Sequence, residues 1–440
     1  MKISLKNIGK IKNSDIEING ITVIAGENDS GKSTIGKALF SIFNGFYNIE
    51  EKLRDEKKKS IIENIYRNLG LRPFTIYSRN STIEEFDEYY DKIEQVFNRN
   101  NFNYNNNQII DKNLKEILNN YINTVICDNY FDNKEFIDFD INKTLEHIKN
   151  IYTISNDEFV NHILDEILNT EFNGQINNIY INDDGIISLT IQNREIKITI
   201  EDNEVTRIKN IIPIKTEAVY IDDPFLIDNY NPFFRPVYIN KTNALSHRQH
   251  LESKLFYSRQ NDRVIDGLVN TKKLERVLQK LNTICVGDFV IKGRSAVYEE
   301  KNKEKGLDIK NLSAGLKTFV IIKELLINNV IEENGTIILD EPEVHLHPEW
   351  QLVFAELIVL IQKEFNMHIL LTTHSPYFLN AIEVYSQKYQ ITSKCKYYLA
   401  SNINGFSDTT ECTDNIEIIY KKLARPFQDL ENERYRYEYY

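Results

Sequence analysis

Residues 21–33 read Ile21-Thr22-Val23-Ile24-Ala25-Gly26-Glu27-Asn28-Asp29-Ser30-Gly31-Lys32-Ser33. The first five are apolar or β-branched, the composition of a strand buried in a parallel sheet. Gly26 to Ser33 then fits the phosphate-loop pattern G-x-x-x-x-G-K-S/T at every specified position. Its glycines permit a tight turn whose N–H groups aim at phosphate oxygens. Ile35 to Phe43 reads as a helix, and its N-terminal dipole adds to anion affinity. Strand, loop and helix thus follow in the order a phosphate site requires. The spacing assigns Gly26, Asn28, Ser30, Gly31, Lys32, Ser33 and Thr34 to nucleotide contact. Lys32 is expected on the β- and γ-phosphates, and the Ser33 hydroxyl on Mg²⁺.

Further along, Gly335-Thr336 opens the run Ile337-Ile338-Leu339, which ends in Asp340-Glu341-Pro342. A parallel strand delivers its C-terminal residues to the ligand crevice of an α/β sheet. Asp340 is expected to hold Mg²⁺, and Glu341 to polarise the attacking water as general base. Another strand, Met367 to Leu371, leads into Thr372-Thr373-His374-Ser375-Pro376. His374 at that strand end is placed to hydrogen-bond a γ-phosphate.

Asn311-Leu312-Ser313-Ala314-Gly315-Leu316-Lys317 precedes an apolar helix, Phe319 to Leu326. Ser313 fits a plain helix N-cap. The same geometry fits a functional role, in which Ser313 and Gly315 approach the γ-phosphate held by another subunit.

Together these motifs resemble the ABC-ATPase heads of the SMC, RecF and OLD lineage. Leu312-Ser313-Ala314-Gly315 is similar to their signature. Glu341-Pro342-Glu343-Val344-His345-Leu346-His347-Pro348 resembles the version in OLD-like ATPases of bacterial defence systems, and Leu5-Lys6-Asn7-Ile8-Gly9-Lys10-Ile11 resembles their N-terminus. The resemblance covers residues 1–45 and about 305–385. It implies an α/β fold, a P-loop ABC-ATPase head with a mixed sheet, an antiparallel β subdomain and a helical insertion. It also implies ATP and Mg²⁺ as ligands and a homo-oligomer built from dimers that sandwich ATP. OLD and Gabija-type nucleases carry a Toprim domain, but no Asp-x-Asp follows His374. The chain therefore looks like a stand-alone ATPase subunit, such as that of a Septu-type pair, with a separate HNH-type nuclease or other effector. A RecF-like DNA-binding repair protein, a transporter's nucleotide-binding subunit and a self-contained nuclease are the alternatives. Asp29 stands where Gly or Ser is frequent in ABC loops. Their Mg²⁺-contacting glutamine has no clear counterpart, Gln249 being the nearest candidate.

With 440 residues, 41% hydrophobic and 27% charged, the chain can bury a large core and a second domain. The four cysteines, Cys127, Cys285, Cys395 and Cys412, lack metal spacing. No segment approaches 18 uninterrupted apolar residues and no signal peptide is expected, so a cytoplasmic protein without membrane partners is the expectation. The net charge of −12 argues against a surface generally coated in nucleic acid. DNA contact would need a local patch: Lys57-Lys58-Lys59, Lys272-Lys273 with Arg276, or Lys292 with Arg294. Solvated faces are the alternative for each.

Between the motifs, residues 46–177 carry apolar residues at helical spacing, including Ile61, Ile62, Ile65 and Tyr66, and read as a helical insertion. Asn98 to Gln108 reads as a loop. Residues 178–207 alternate as an antiparallel meander that begins at Ile179-Tyr180-Ile181. Ala218 to Ile221 is a strand ending in Asp222-Asp223-Pro224, either a metal site or a strand-end turn. The cluster His247-Arg248-Gln249-His250 invites a metal reading too. A helix over 261–283 and a hairpin over 285–298 lead to the signature-like segment. The head is thus expected at 1–45 and 205–400. A tail at 401–440 follows, with a basic and aromatic docking candidate at Tyr420 to Phe427.

Overall fold

The computed structural model describes residues 1–69, 80–99, 107–127, 140–231, 244–256, 271–293, 295–301, 303–403 and 405–438. The chain divides into two compact units. Residues 1–48, 161–234 and 244–440 form the larger, and 49–160 with 235–243 the smaller. The larger begins with β1 (Lys2–Ile8) and β2 (Ile11–Glu17), an antiparallel hairpin, followed by β3 (Ile21–Gly26) and α1 (Lys32–Phe46). Every residue of β3 is buried, as its unbroken apolar run requires.

The smaller unit is helical, with α2 (Ile49–Asn68), α3 (Asn80–Arg99), α4 (Asn107–Cys127) and α5 (Ile141–Thr153). It has its own core, in which Ile61 and Ile65 meet Phe86, Tyr90, Leu114, Leu118 and Ile148. The Phe97 and Tyr152 rings stack with centroids 3.9 Å apart. Of the loop expected over 98–108, residues 100–106 lie outside the described residues, and its ends belong to α3 and α4.

The unit boundary falls inside α6 (Asn156–Phe172). The second half of that helix packs against α1: a Cβ on Gly45 would sit 2.2 Å from Leu164. Composition alone could not separate this half from the insertion expected to run to 177. The larger unit continues with β4 (Gly185–Ile191), β5 (Arg194–Glu201), β6 (Glu204–Lys209), β7 (Ala218–Ile221) and α7 (His247–Phe256). Then come α8 (Thr271–Leu281), a hairpin of β8 (Asp288–Lys292) and β9 (Ser295–Glu299), the short β10 (Leu307–Asp308) and α9 (Ala314–Ile327). The helix expected from residue 261 is seen only from Thr271; 261–270 lie outside the described residues, as does Arg294.

The chain closes with β11 (Thr336–Asp340), α10 (Pro348–Phe365), β12 (His368–Thr373), α11 (Pro376–Lys388), β13 (Cys395–Ile403), β14 (Phe406–Glu411) and α12 (Glu417–Glu438). An eleven-stranded sheet runs in the order β6-β5-β4-β1-β2-β14-β13-β3-β12-β11-β7. Its last five strands, β13 to β7, are all parallel, while β1, β2 and β4–β6 are antiparallel to their neighbours among themselves. Ile21, Val23, Ile337, Leu339, Ile369 and Leu371 from the parallel strands share one core with Phe319, Phe354 and Phe378 from the helices.

Two expectations are corrected by this topology. Ile179-Tyr180-Ile181 is not a strand. Asn178 Oδ1 accepts from Tyr180 N at 3.0 Å and folds the segment into a turn, which overrides the β-branched composition. The boundary expected at residue 400 also falls inside β13, which pairs in parallel with β3.

Candidate functional site

The phosphate loop takes its shape from two left-handed residues, Asp29 at φ +63° and Gly31 at φ +80°. Gly31 is required on two counts: its φ, and a Cβ that would press on Ile11 and Ser407 at 3.0 and 3.1 Å. The Ser30 hydroxyl donates to Glu27 O at 2.7 Å and pins the turn. Asp29 forms an ion pair with Lys10, so its carboxylate is balanced from outside the loop. Lys32, the first residue of α1, is only 4% exposed. Its Nζ donates to the carbonyls of Gly26 and Glu27 at 3.0 and 2.8 Å and lies 3.2 Å from Glu341 Oε1.

Asp340 ends β11, and two hydroxyls hold its carboxylate: Tyr220 donates to Oδ2 at 2.9 Å, and Thr372 donates to Oδ1. Burial, with Asp340 next, pushes the Tyr220 phenol well above its usual range, so it stays a donor. Glu341 has φ +48°, a left-handed conformation that costs a non-glycine residue about 1–3 kcal/mol. Its N–H donates to Thr372 O at 3.2 Å and to Thr372 Oγ1 at 3.0 Å, and this holds the strained turn in place. Its Oε2 is 3.4 Å from His374 Nδ1. The structure thus brings Lys32, Glu341 and His374 together.

Glu343 had no role assigned in the sequence beyond its motif. It is 2% exposed, and its Oε1 accepts from the Thr373 hydroxyl and from His374 N. Burial raises its carboxyl above the usual range, against the Thr373 hydroxyl. It fastens the His374 loop to the segment that carries Glu341. The only sequence signal was its place in Glu-Pro-Glu, because the partners lie thirty residues downstream.

Two clefts flank this centre. One, of about 550 Å³, is lined by Asn28, Ser30, Gly31, Lys32, Ser33, Thr34 and Glu341, and also by Gln175, Ile179 and Tyr180. The other, of about 300 Å³, is lined by Ser33, Asp340, Glu341, Asp222 and Asp223. Ser33 and Asp340 therefore both line this cleft, and a hydroxyl with a carboxylate is a hard-oxygen donor set that suits Mg²⁺. Gly26 ends β3 and lines neither cleft.

Ser313 caps α9, its Oγ accepting from Leu316 N at 3.4 Å, and it is exposed. Gly315 is packed against α10: a Cβ there would meet His345 O at 3.0 Å and the Trp350 ring at 3.2 Å. Neither residue lines either of these two clefts. Lys317, next in the motif, is buried in an ion pair with Asp228 at 2.6 Å.

The remaining candidates have structural roles. His247 lies between Glu171 at 2.6 Å and Asp222 at 3.0 Å and stacks on Tyr220. Burial lowers its pKa, but the two carboxylates outweigh burial and hold it at about 9. His250 pairs with Glu217 at 2.7 Å. Asp223 Oδ1 accepts from Phe225 N, and Asp222 accepts from Arg248, so this acid pair is a strand-end turn. No group of three metal-ligating side chains occurs among the described residues. Gln249 Oε1 accepts from Ser246 N at 3.1 Å, outside both clefts. Among the basic patches, Lys58 pairs with Asp87, Lys273 with Glu333, Arg276 with Glu364 and Lys292 with Glu299. Tyr420 and Leu423 of the docking candidate pack on the core, whereas Phe427 is exposed.

The strand order β3-β12-β11 delivers the phosphate loop and the acid pair to one edge of a parallel sheet. That arrangement defines a P-loop nucleotide hydrolase with the mixed sheet of an ABC-type head. The chain belongs to the AAA ATPase domain family designated AAA_15, whose model matches residues 1–379, and it is an ATPase of that family. It is 30% identical over 129 residues to the Retron Ec83 probable ATPase of Escherichia coli, covering 26% of this chain and 23% of that protein. It is 32% identical over 102 residues to the Retron Vc95 probable ATPase of Vibrio cholerae, covering 21% of this chain and 19% of that protein. The matched stretch thus spans less than a quarter of either relative. A solved Smc head domain with an extended coiled coil, bound to the C-terminal domain of ScpA and derived from Pyrococcus furiosus, aligns with 98% of this chain and 98% of that chain. The identity is 13% and the TM-score 0.39. Among the described residues, no helix is long and apolar enough to cross a membrane.

Proposed function

We propose that two copies of this chain close on ATP and that the closed dimer controls a separate effector, in the manner of an anti-phage defence ATPase. The observation that carries this reading is a division of the site. Lys32, Ser33, Asp340 and Glu341 converge in one copy, while the exposed helix N-terminus at Ser313 lines neither of the two clefts beside them. A second copy would bring its own Ser313 and Gly315 to the γ-phosphate. The Glu341 to Pro348 resemblance to OLD-like ATPases of defence systems and the similarity to two retron ATPases support the defence setting.

In this reading the loop amides, with Asn28, Ser30 and Thr34, grip the phosphates, and Lys32 neutralises them. Ser33 and Asp340 would hold Mg²⁺, which offsets charge on the β- and γ-oxygens. Glu341 accepts a proton from the attacking water, and His374 donates to the γ-phosphate. Glu343 keeps His374 within reach of it. The effector, an HNH-type nuclease by the Septu-type resemblance, would dock on the exposed Phe427, Leu430 and Tyr437 of α12 or on the helical unit. Direct DNA binding has less support, because acidic partners answer charges in each basic patch.

Mixing two inactive variants tests the division. Ser313→Arg and Lys32→Ala subunits should each hydrolyse ATP poorly alone. Together they should recover activity, because the heterodimer has one site intact on both sides. Parental turnover by Ser313→Arg alone would reduce the motif to a helix cap and overturn the reading.

A further inference from the structure

We infer that Tyr180, backed by Ile179, is the platform for the nucleobase of the bound nucleotide; this deepens the reading above and rests on it. The cleft that holds the phosphate loop is also lined by Phe172, Gln175, Asn177, Ile179 and Tyr180. Here two large apolar side chains stand in solvent, Ile179 at 67% and Tyr180 at 66% exposure, whereas Ile176, one turn earlier, is fully buried. The backbone that presents them is held from several sides. Gly9 N donates to Ile176 O at 2.9 Å, and Asn178 N donates to Asn7 O at 2.9 Å. The Asn203 carboxamide accepts from Ile176 N and Asn177 N at 2.8 and 2.9 Å. Asn178 Oδ1 accepts from Tyr180 N. The turn is therefore built and anchored, yet it leaves two apolar side chains about two-thirds exposed beside the phosphate loop.

A ligand that spans this cleft must be polyanionic at the Lys32 end and flat and apolar at the Tyr180 end. A nucleoside triphosphate has that polarity. The tyrosine ring offers a face and one hydroxyl, which suits stacking on any base and not reading of its edge. Asn177 cannot read the edge either: its Nδ2 donates to Ile200 O and its Oδ1 accepts from Asn203 N. The platform thus supplies affinity without selecting adenine over guanine.

Calorimetric titration of the full chain with ATP, GTP and inorganic triphosphate tests this. Tyr180→Ala should weaken ATP and GTP alike, by about tenfold from the usual cost of losing one base–aromatic stack. It should leave inorganic triphosphate unchanged, and Tyr180→Phe should retain parental affinity for all three. The side chain is exposed, so the variant should melt with the parent. Unchanged ATP affinity in Tyr180→Ala, or an equal loss for inorganic triphosphate, would overturn the platform. Lys32→Ala separates the two readings. It must weaken all three ligands if the phosphate loop is the site, whatever Tyr180 does.

Discussion

Glu341 sits at φ +48° with its carboxylate between the Lys32 ammonium at 3.2 Å and the His374 imidazole at 3.4 Å. The strained backbone turns this side chain out of the β11 pleat and into the cleft, while Asp340 stays fixed by Tyr220 and Thr372. Glutamine at 341 keeps the shape and the strain and removes the negative charge and with it the proposed proton acceptor. Glu341→Gln should therefore fold and bind ATP as the parent does, and release phosphate roughly 10²–10⁴-fold more slowly. Phosphate-release kinetics beside a binding titration measure both. Turnover within a few-fold of the parent would remove Glu341 from the role of base.

At the scale of elements, His247 joins three of them: the end of α6 through Glu171, the end of β7 through Asp222, and the start of α7. Its folded pKa of about 9 exceeds the ordinary 6.5. The stability it contributes is fully present below pH 6.5 and is lost as pH rises toward 9. Urea midpoints should fall across that window in the parent and fall less in His247→Gln. At pH 6 the variant should be weaker by about 3–5 kcal/mol, because the buried Glu171 loses its charged partner and keeps only the backbone N–H of residue 247. A parental midpoint for the variant at pH 6 would contradict this. Elements also show what the sequence could disclose. β3, α1, β11 and β12 were legible because their apolar runs and their motifs are local. The turn at 178–181 was not: Ile179-Tyr180-Ile181 has strand composition, and the bond from Tyr180 N to Asn178 Oδ1, with Asn178 N held by Asn7 O, folds it otherwise. β13 and β14 escaped notice because the polar residues of Ser401 to Glu411 hide a strand pair that finds its place only beside β3 and β2. The Glu343–Thr373 bond, spanning thirty residues, has no local signature.

At the scale of the whole molecule, one chain supplies a phosphate loop, an acid pair and an anchored cleft, and offers its exposed Ser313 end elsewhere. A net charge of −12 makes close approach of two copies unfavourable at long range, so the proposed closure would have to be driven by contacts made through the nucleotide. Slow hydrolysis should trap that closed form. Light scattering of Glu341→Gln, with and without saturating ATP and Mg²⁺, is the most direct measurement of the shared site. The account predicts the mass of one chain, 51.7 kDa, without nucleotide and a doubled mass with it, reverting in Glu341→Gln/Ser313→Arg. A single-chain mass with ATP demonstrably bound would contradict it.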